Sequence, residues 1–119
     1  MRNYLDSELE RLLKYAQKGQ LKPLLRLLED LPLGLSEQLT IEVQRSKLRL
    51  IDQEGEGGWS AIHYAVYCAR KDVLEELLQR KVELNRCTVD GWLPLQLAVH
   101  RHNYELLKML LEEDRISIN

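Results

Sequence analysis

The chain of 119 residues has little of what builds dedicated chemistry. Its two cysteines, Cys68 and Cys87, lack the paired spacing of a zinc site. They read as free thiols in a reducing compartment, which points to a cytoplasmic protein. No apolar run approaches the roughly 18 residues a membrane-spanning helix needs. The opening stretch from Met1 to Glu8 is too polar for a signal peptide. Neither sign of charge is in excess: 17 basic and 19 acidic side chains leave a net charge of −2. That balance gives no general pull toward nucleic acid or an anionic membrane. Two local basic groups, Arg45, Lys47 and Arg49, and Arg80, Lys81 and Arg86, are interleaved with apolar and acidic residues and read as solvated faces. Gly55, Gly57 and Gly58 follow no strong strand and lack the Lys-Ser/Thr ending of a phosphate-binding loop.

What the chain does have is self-similarity. Gly58-Trp59 recurs as Gly91-Trp92. At the same offset Ile62 falls on Leu95, Ala65 on Ala98 and Val66 on Val99. Val73-Leu74 falls on Leu106-Leu107, and Leu77-Leu78 on Leu110-Leu111. Each unit opens with a glycine-rich turn, runs into a short helix with a small residue (Ala65 or Ala98) at its centre, breaks, and continues as a second helix with a broad apolar stripe. One helix pair cannot hide both of its apolar faces. Stacked copies bury them against one another, which is the physical reason for a repeat.

A worn third copy lies near the N-terminus. Ser7-x-x-Glu10 reads as a capping box. Leu9, Leu12, Leu13 and Ala16 follow at helical spacing, and Gly19 ends that helix. Pro23 is tolerated near the start of the next helix, whose stripe is Leu24, Leu25, Leu27, Leu28 and Leu31, and Pro32 stops it.

The sequence from Gly58 to Val66 (Gly-Trp-Ser-Ala-Ile-His-Tyr-Ala-Val) and from Gly91 to Val99 (Gly-Trp-Leu-Pro-Leu-Gln-Leu-Ala-Val) resembles the opening of an ankyrin repeat. Val82-Glu-Leu-Asn85 and Ile116-Ser-Ile-Asn119 resemble the family's repeat-ending segment. The likeness is specific over 53–119 and weak over 5–31. Ala61 replaces the family's proline, Leu93 and Gln96 replace its Thr-His pair, and the last copy carries one extra residue near Glu113. The resemblance implies an all-α, short ankyrin-type solenoid of about three helix-turn-helix repeats. The expected division is a capping repeat over 1–32, an insertion or finger over 33–57, a middle repeat over 58–90 and a last repeat over 91–119 that continues in a longer chain or pairs with another surface.

Residues 33–52 fit no repeat. Ser36 suits a helix cap, and Leu35, Leu39 and Val43 are four apart. Leu39-Thr-Ile41-Glu-Val43 also alternates, as does Leu48-Arg-Leu50, with Gln44-Arg45-Ser46-Lys47 between. That alternation favours a β-hairpin over 38–52, with Val43 opposite Leu48 and Ile41 opposite Leu50, against an inserted helix.

Catalytic readings are weaker than structural ones. Ser60-x-x-His63 has the residue types of a nucleophile and a base, but no nucleophile elbow surrounds Ser60. It resembles the family's Thr-x-x-His, which stitches turn to helix. His100 and His102 with Cys68 are a partial metal set at best. Glu75-Glu76 and Glu112-Glu113-Asp114 have no shaped pocket to set their environments apart. No enzymatic activity, cofactor or metal is expected.

The resemblance implies that partners dock on the concave surface formed by the turn tips and the exposed side of each first helix. By residue match those positions are Glu56, Trp59, Tyr67 and Cys68, then Val89, Asp90, Trp92, His100 and Arg101. Gln17 and Lys18 are the nearest equivalents in the first copy. Trp, Tyr and Arg most often dominate binding energy, although the two tryptophans equally suit a role in stiffening the tips. The expected function is binding of a partner protein, as a free-standing adaptor or as a regulatory domain of a larger protein, without nucleic acid or membrane. Met109 stands where the middle copy has Glu76, so the last helix carries an apolar outer side suited to self-association or to further repeats.

Overall fold

The computed structural model describes residues 4–30 and 34–113. Helices α1 (Tyr4–Lys18) and α2 (Leu21–Glu29) form the first pair, α4 (Ala61–Tyr67) and α5 (Lys71–Gln79) the second, and α6 (Pro94–His100) and α7 (Tyr104–Leu111) the third; α3 (Glu37–Leu50) lies between the first two pairs. The described residues contain no strand. Within each pair the two helices pack together, and α4 packs on α1 at one side and on α6 at the other. The result is an elongated body of 47 × 30 × 25 Å.

The three pairs turn by one local device. Gly19, Ala69 and His102 all take left-handed backbone, with φ of 74°, 59° and 56°. Each lets the next amide fold back onto the first helix. Gln20 donates to the Tyr15 carbonyl at 2.9 Å, Arg70 to Ala65 at 2.8 Å and Asn103 to Ala98 at 2.9 Å. These bonds satisfy carbonyls that a helix end leaves open. They also fix the register between copies, with a longer step along the chain from Gly19 to Ala69 than from Ala69 to His102.

That register explains the core. Leu12 and Ile62 share a position, as do Ala16 and Val66, and Leu24 and Leu74, and all six are buried. Val73, Leu77 and Leu78 complete the stripe of α5, and Leu106 and Leu110 that of α7. Each such leucine, isoleucine or valine contributes about 1.5–3 kcal/mol by leaving water. Arg70 ties the first two pairs together at the surface. Its Nε donates to the Gln17 carbonyl at 2.9 Å, and its stem lies against Gly19, where a Cβ would approach within 2.7 Å.

Residues 37–50 correct the hairpin expected over 38–52: they form α3. Ser36 caps it, its hydroxyl accepting from the Leu39 amide at 3.3 Å. The apolar alternation misleads because Leu39 and Ile41 lie on the exposed surface, while Leu50 and Ile51 at the C-terminal end enter the core. A lone two-stranded hairpin has no third element to cover it, whereas α3 packs on α1 and α2. Lys47 secures that packing. It is buried, and its amine donates to the Leu27 carbonyl at 2.8 Å and also to the Asp30 carbonyl. It thereby caps the C-terminal end of α2 with a cation.

Lys47 is therefore no solvated charge. Arg80 is likewise engaged, with Glu76 at 2.8 Å and Glu29 at 2.9 Å. Ser7, expected as a cap, lies inside α1. Leu31, Pro32 and the repeat-ending segment Ile116 to Asn119 fall outside the described residues.

Candidate functional site

The site is built from two turn tips and the helices behind them. Gly55 donates to the Trp59 carbonyl at 2.9 Å, and Thr88 to the Trp92 carbonyl at 2.9 Å, closing two equivalent tips. Gly57 and Gly58 turn the first with φ of 70° and 77°, a conformation that L side chains resist. The tips are joined: the Val89 amide donates to the Gly57 carbonyl at 2.9 Å.

His63 locks the base of the first tip. Its Nδ1 accepts from the Ser60 amide at 3.1 Å, with the Ser60 hydroxyl 3.0 Å from the same nitrogen. Nε2 lies 2.9 Å from the Arg86 carbonyl, so the ring carries its proton there and donates. Burial holds the imidazole below the ordinary histidine range, against the opposing pull of that carbonyl. In the last repeat Gln96 performs half of this work, its Oε1 accepting from the Leu93 amide at 3.1 Å. Ser60 and His63 are both buried. Their polar atoms are occupied in holding the turn, so the pair presents no nucleophile to a substrate. Arg86 in turn donates to the Asp52 carbonyl and pairs with Glu54 at 3.4 Å, and the Asp52 carboxylate accepts from the Glu83 amide at 2.8 Å.

The expected docking residues divide by exposure. Glu56, Tyr67, Val89, Asp90, His100 and Arg101 lie on the surface, whereas Trp59, Cys68 and Trp92 are half-buried. Trp59 packs at 5.1 Å on Tyr64, 5.4 Å edge-on to Tyr67 and 5.9 Å from His63, between ring centroids. Trp92 lies 5.1 Å from His100. Both indoles also rest on the core, so each stiffens its tip while offering one edge to solvent. Arg101, at the end of α6, sets its guanidinium 4.5 Å over the Tyr67 ring at the end of α4. This joins neighbouring copies across the exposed face.

Sequence reasoning reached a second stretch of this face only at Gln17 and Glu56. An open groove of about 500 Å³ lies between α1 and the first tip, lined by Leu9, Leu13, Gln17, Gly55, Glu56 and Tyr64 among others. Burial and the nearby Glu56 carboxylate push the Tyr64 hydroxyl up. The offset that relates the second and third copies does not reach this groove, because the first copy is displaced by a longer one. On the other side a groove of about 570 Å³ is lined by Asp90, Trp92, Leu95, Val99 and His100 among others. His100, His102 and Cys68 do not assemble: among the described residues no three His, Cys, Asp or Glu side chains are grouped to hold a metal ion. His102 instead lies edge-on to Tyr104 at 6.4 Å. No helix among the described residues is long and apolar enough to cross a membrane.

No curated protein matches the chain at a significant level. The family model described as ankyrin repeats (3 copies) matches residues 12–119. The match begins within α1 and takes in every later helix, including most of the stretch with the weaker motif match. Repeats of this kind are generally protein–protein interaction modules, and enzymatic activity is not typical of them. With the turn device repeated three times and the two tips built alike, the chain belongs to the ankyrin repeat family.

Proposed function

We propose that this chain is an adaptor-like recognition module that binds a partner protein on the surface running from the turn tips along α1, α4 and α6. The observation that carries this reading is the exposed contact between Tyr67 and Arg101, backed by Trp59 edge-on to Tyr67 and flanked by the two grooves. Aromatic and arginine side chains held by packing lose little freedom on binding, so little ordering entropy opposes association. Glu56, Val89, Asp90, His100 and Cys68 border these anchors, and Trp59 and Trp92 support them from behind. The two free thiols, one half-buried and one exposed, fit a reducing, cytoplasmic setting.

The test is capture from cell lysate by wild type beside Tyr67→Ala/Arg101→Ala, with circular dichroism showing that both are folded. The tryptophans are poor probes, because truncating them also removes core contacts. A protein held by wild type and released by the folded variant, with affinity reduced about 30-fold or more for the purified pair, is the expected result. Equal capture of every protein by both would sink the reading.

A further inference from the structure

The three turns within the helix pairs line up along one edge of the stack. Across the first junction the Arg70 Nε donates to the Gln17 carbonyl at 2.9 Å. Across the second, Arg101 covers the Tyr67 ring at 4.5 Å and Lys71 pairs with Glu105 at 2.6 Å. Successive turns are therefore neighbours in space, about 8–10 Å apart as packed helices are.

Charge is sorted between this edge and the opposite one. The chain carries a net charge of −2, yet the turn edge exposes Lys18, Lys22, Arg70 and Arg101. None of these four has a carboxylate partner among the described residues. Of the acids on this edge, Glu105 is taken up by Lys71, and Asp72 remains. On the far edge, the segments that enter the tips hold Asp52, Glu54, Glu56, Glu83 and Asp90. Arg70 is held by a carbonyl and Arg101 by a ring. Neither contact neutralises its guanidinium, so both charges stand in fixed places and lose little freedom on binding.

The rest of the edge narrows the class of partner. Single-stranded nucleic acid needs a row of open aromatic faces. Here Tyr67 is covered by Arg101, and Tyr104, 68% exposed, stands alone. A lipid surface is entered by apolar side chains, and Leu21, at the same level as Tyr104, is half-buried. A chain bearing carboxylates needs only the cations. Arg101 belongs both to this edge and to the face at Tyr67, so a partner seated on that face runs on to the edge.

We propose that the turn edge receives an acidic, extended segment of the partner protein, with carboxylates facing Lys18 and Lys22, then Arg70, then Arg101. The inference rests on the reading of the adjoining face as a protein-binding surface. An extended chain advances about 3.3 Å per residue. Carboxylates about three residues apart therefore match successive turns, and roughly seven residues cross all three.

The probe is a seven-residue peptide of serine and glycine with glutamate at its first, fourth and seventh positions, titrated into isotope-labelled protein at low salt. Amide shifts are expected at the three turns and not at the tips, fading as salt is raised to about 0.3 M. Lys18→Gln/Lys22→Gln, both exposed positions, should keep its Tm and bind about fivefold more weakly. The same peptide with lysine for glutamate should not bind. No shift at the turns, equal affinity in the variant, or equal shifts from the lysine peptide would overturn the inference. So would an oligouridylate, or phosphatidylserine vesicles, binding the same residues more tightly. The peptide has no apolar side chain and reads the edge alone. Its failure, with capture still lost in Tyr67→Ala/Arg101→Ala, would overturn the inference and leave the proposed function standing. The reverse pattern would overturn the proposed function, and with it the assignment of the edge to the same partner.

Discussion

His63 donates through Nε2 to the Arg86 carbonyl, 2.9 Å away, and so fastens the base of one repeat to the segment entering the next tip. The same ring accepts from the Ser60 amide at Nδ1, 3.1 Å away, and that bond requires a neutral imidazole. Burial lowers the native pKa beneath the unfolded value of 6.5. Above about pH 6.5 both states hold a neutral imidazole, and the shift has no effect on stability. As the pH falls through that value, the unfolded chain binds a proton that the native ring refuses. Stability then declines until the native ring itself titrates. Thermal unfolding should therefore show Tm dropping below about pH 6.5. His63→Gln, which introduces the side chain that Gln96 supplies in the last repeat, should flatten that part of the curve. An identical slope in the variant would remove His63 as the cause.

Alanine at Gly58 and at Gly91 should have unequal effects, although the two glycines hold the same place in successive repeats. Both are left-handed, with φ of 77° and 89°, so each substitution meets roughly 1–2 kcal/mol of backbone strain. Gly58→Ala adds a Cβ against the Val89 backbone, and overpacking of that kind costs about 1–3 kcal/mol more. Urea unfolding of both variants measures the difference. Equal losses would mean that the tips are not in contact.

Lys47→Met should destabilise the protein by roughly 1–3 kcal/mol, because the Leu27 and Asp30 carbonyls lose their charged donor while the apolar stem is kept. The loss should appear as a lower urea midpoint with an unchanged slope. A change under about 0.5 kcal/mol would show that water replaces the amine at no net loss.

Much of the fold is readable in the sequence. Gly58-Trp59 and Gly91-Trp92 set the register, and the Ser60–His63 stitch follows from the resemblance. The stretch at 38–52 is not, because the signal lies in the wrong atoms. Leu39, Ile41 and Val43 alternate but face outward or sit half-buried. Lys47, which fixes the helix in place, looks like a surface charge until its carbonyl partners are known. The site is legible in part. Tyr67 and Arg101 lie on the face expected of them, but their contact depends on the offset in space between neighbouring repeats, which pattern alone does not supply. The groove at Leu9, Leu13 and Tyr64 is hidden for a different reason: the first copy stands farther from the second along the chain than the second does from the third.

Ala69→Gly should stabilise the chain by up to about 1 kcal/mol. The first repeat already has glycine at this position, Gly19, whereas Ala69 holds φ of 59° with a Cβ. Relief of roughly 1–2 kcal/mol of left-handed strain exceeds the entropy lost on introducing glycine, about 0.5–1 kcal/mol. A Tm increase of a few degrees is expected. A decrease would show that the Ala69 methyl makes contacts that outweigh its strain.

The step from Gly19 to Ala69 is about half as long again as the step from Ala69 to His102, and the difference bears on chain entropy. Closing the longer segment in place of the shorter raises the loop-closure cost by only about 0.4 kcal/mol, since that cost grows with the logarithm of length. The capped end of α2 and the burial of Leu50 and Ile51 outweigh that amount. The detour through α3 therefore adds little closure entropy, and the ordering of its own residues is opposed by the contacts that α3 makes. Distance along the chain and distance along the stack are separate quantities here, and the junction between the first and second repeats is the place where length can be added without loosening the join.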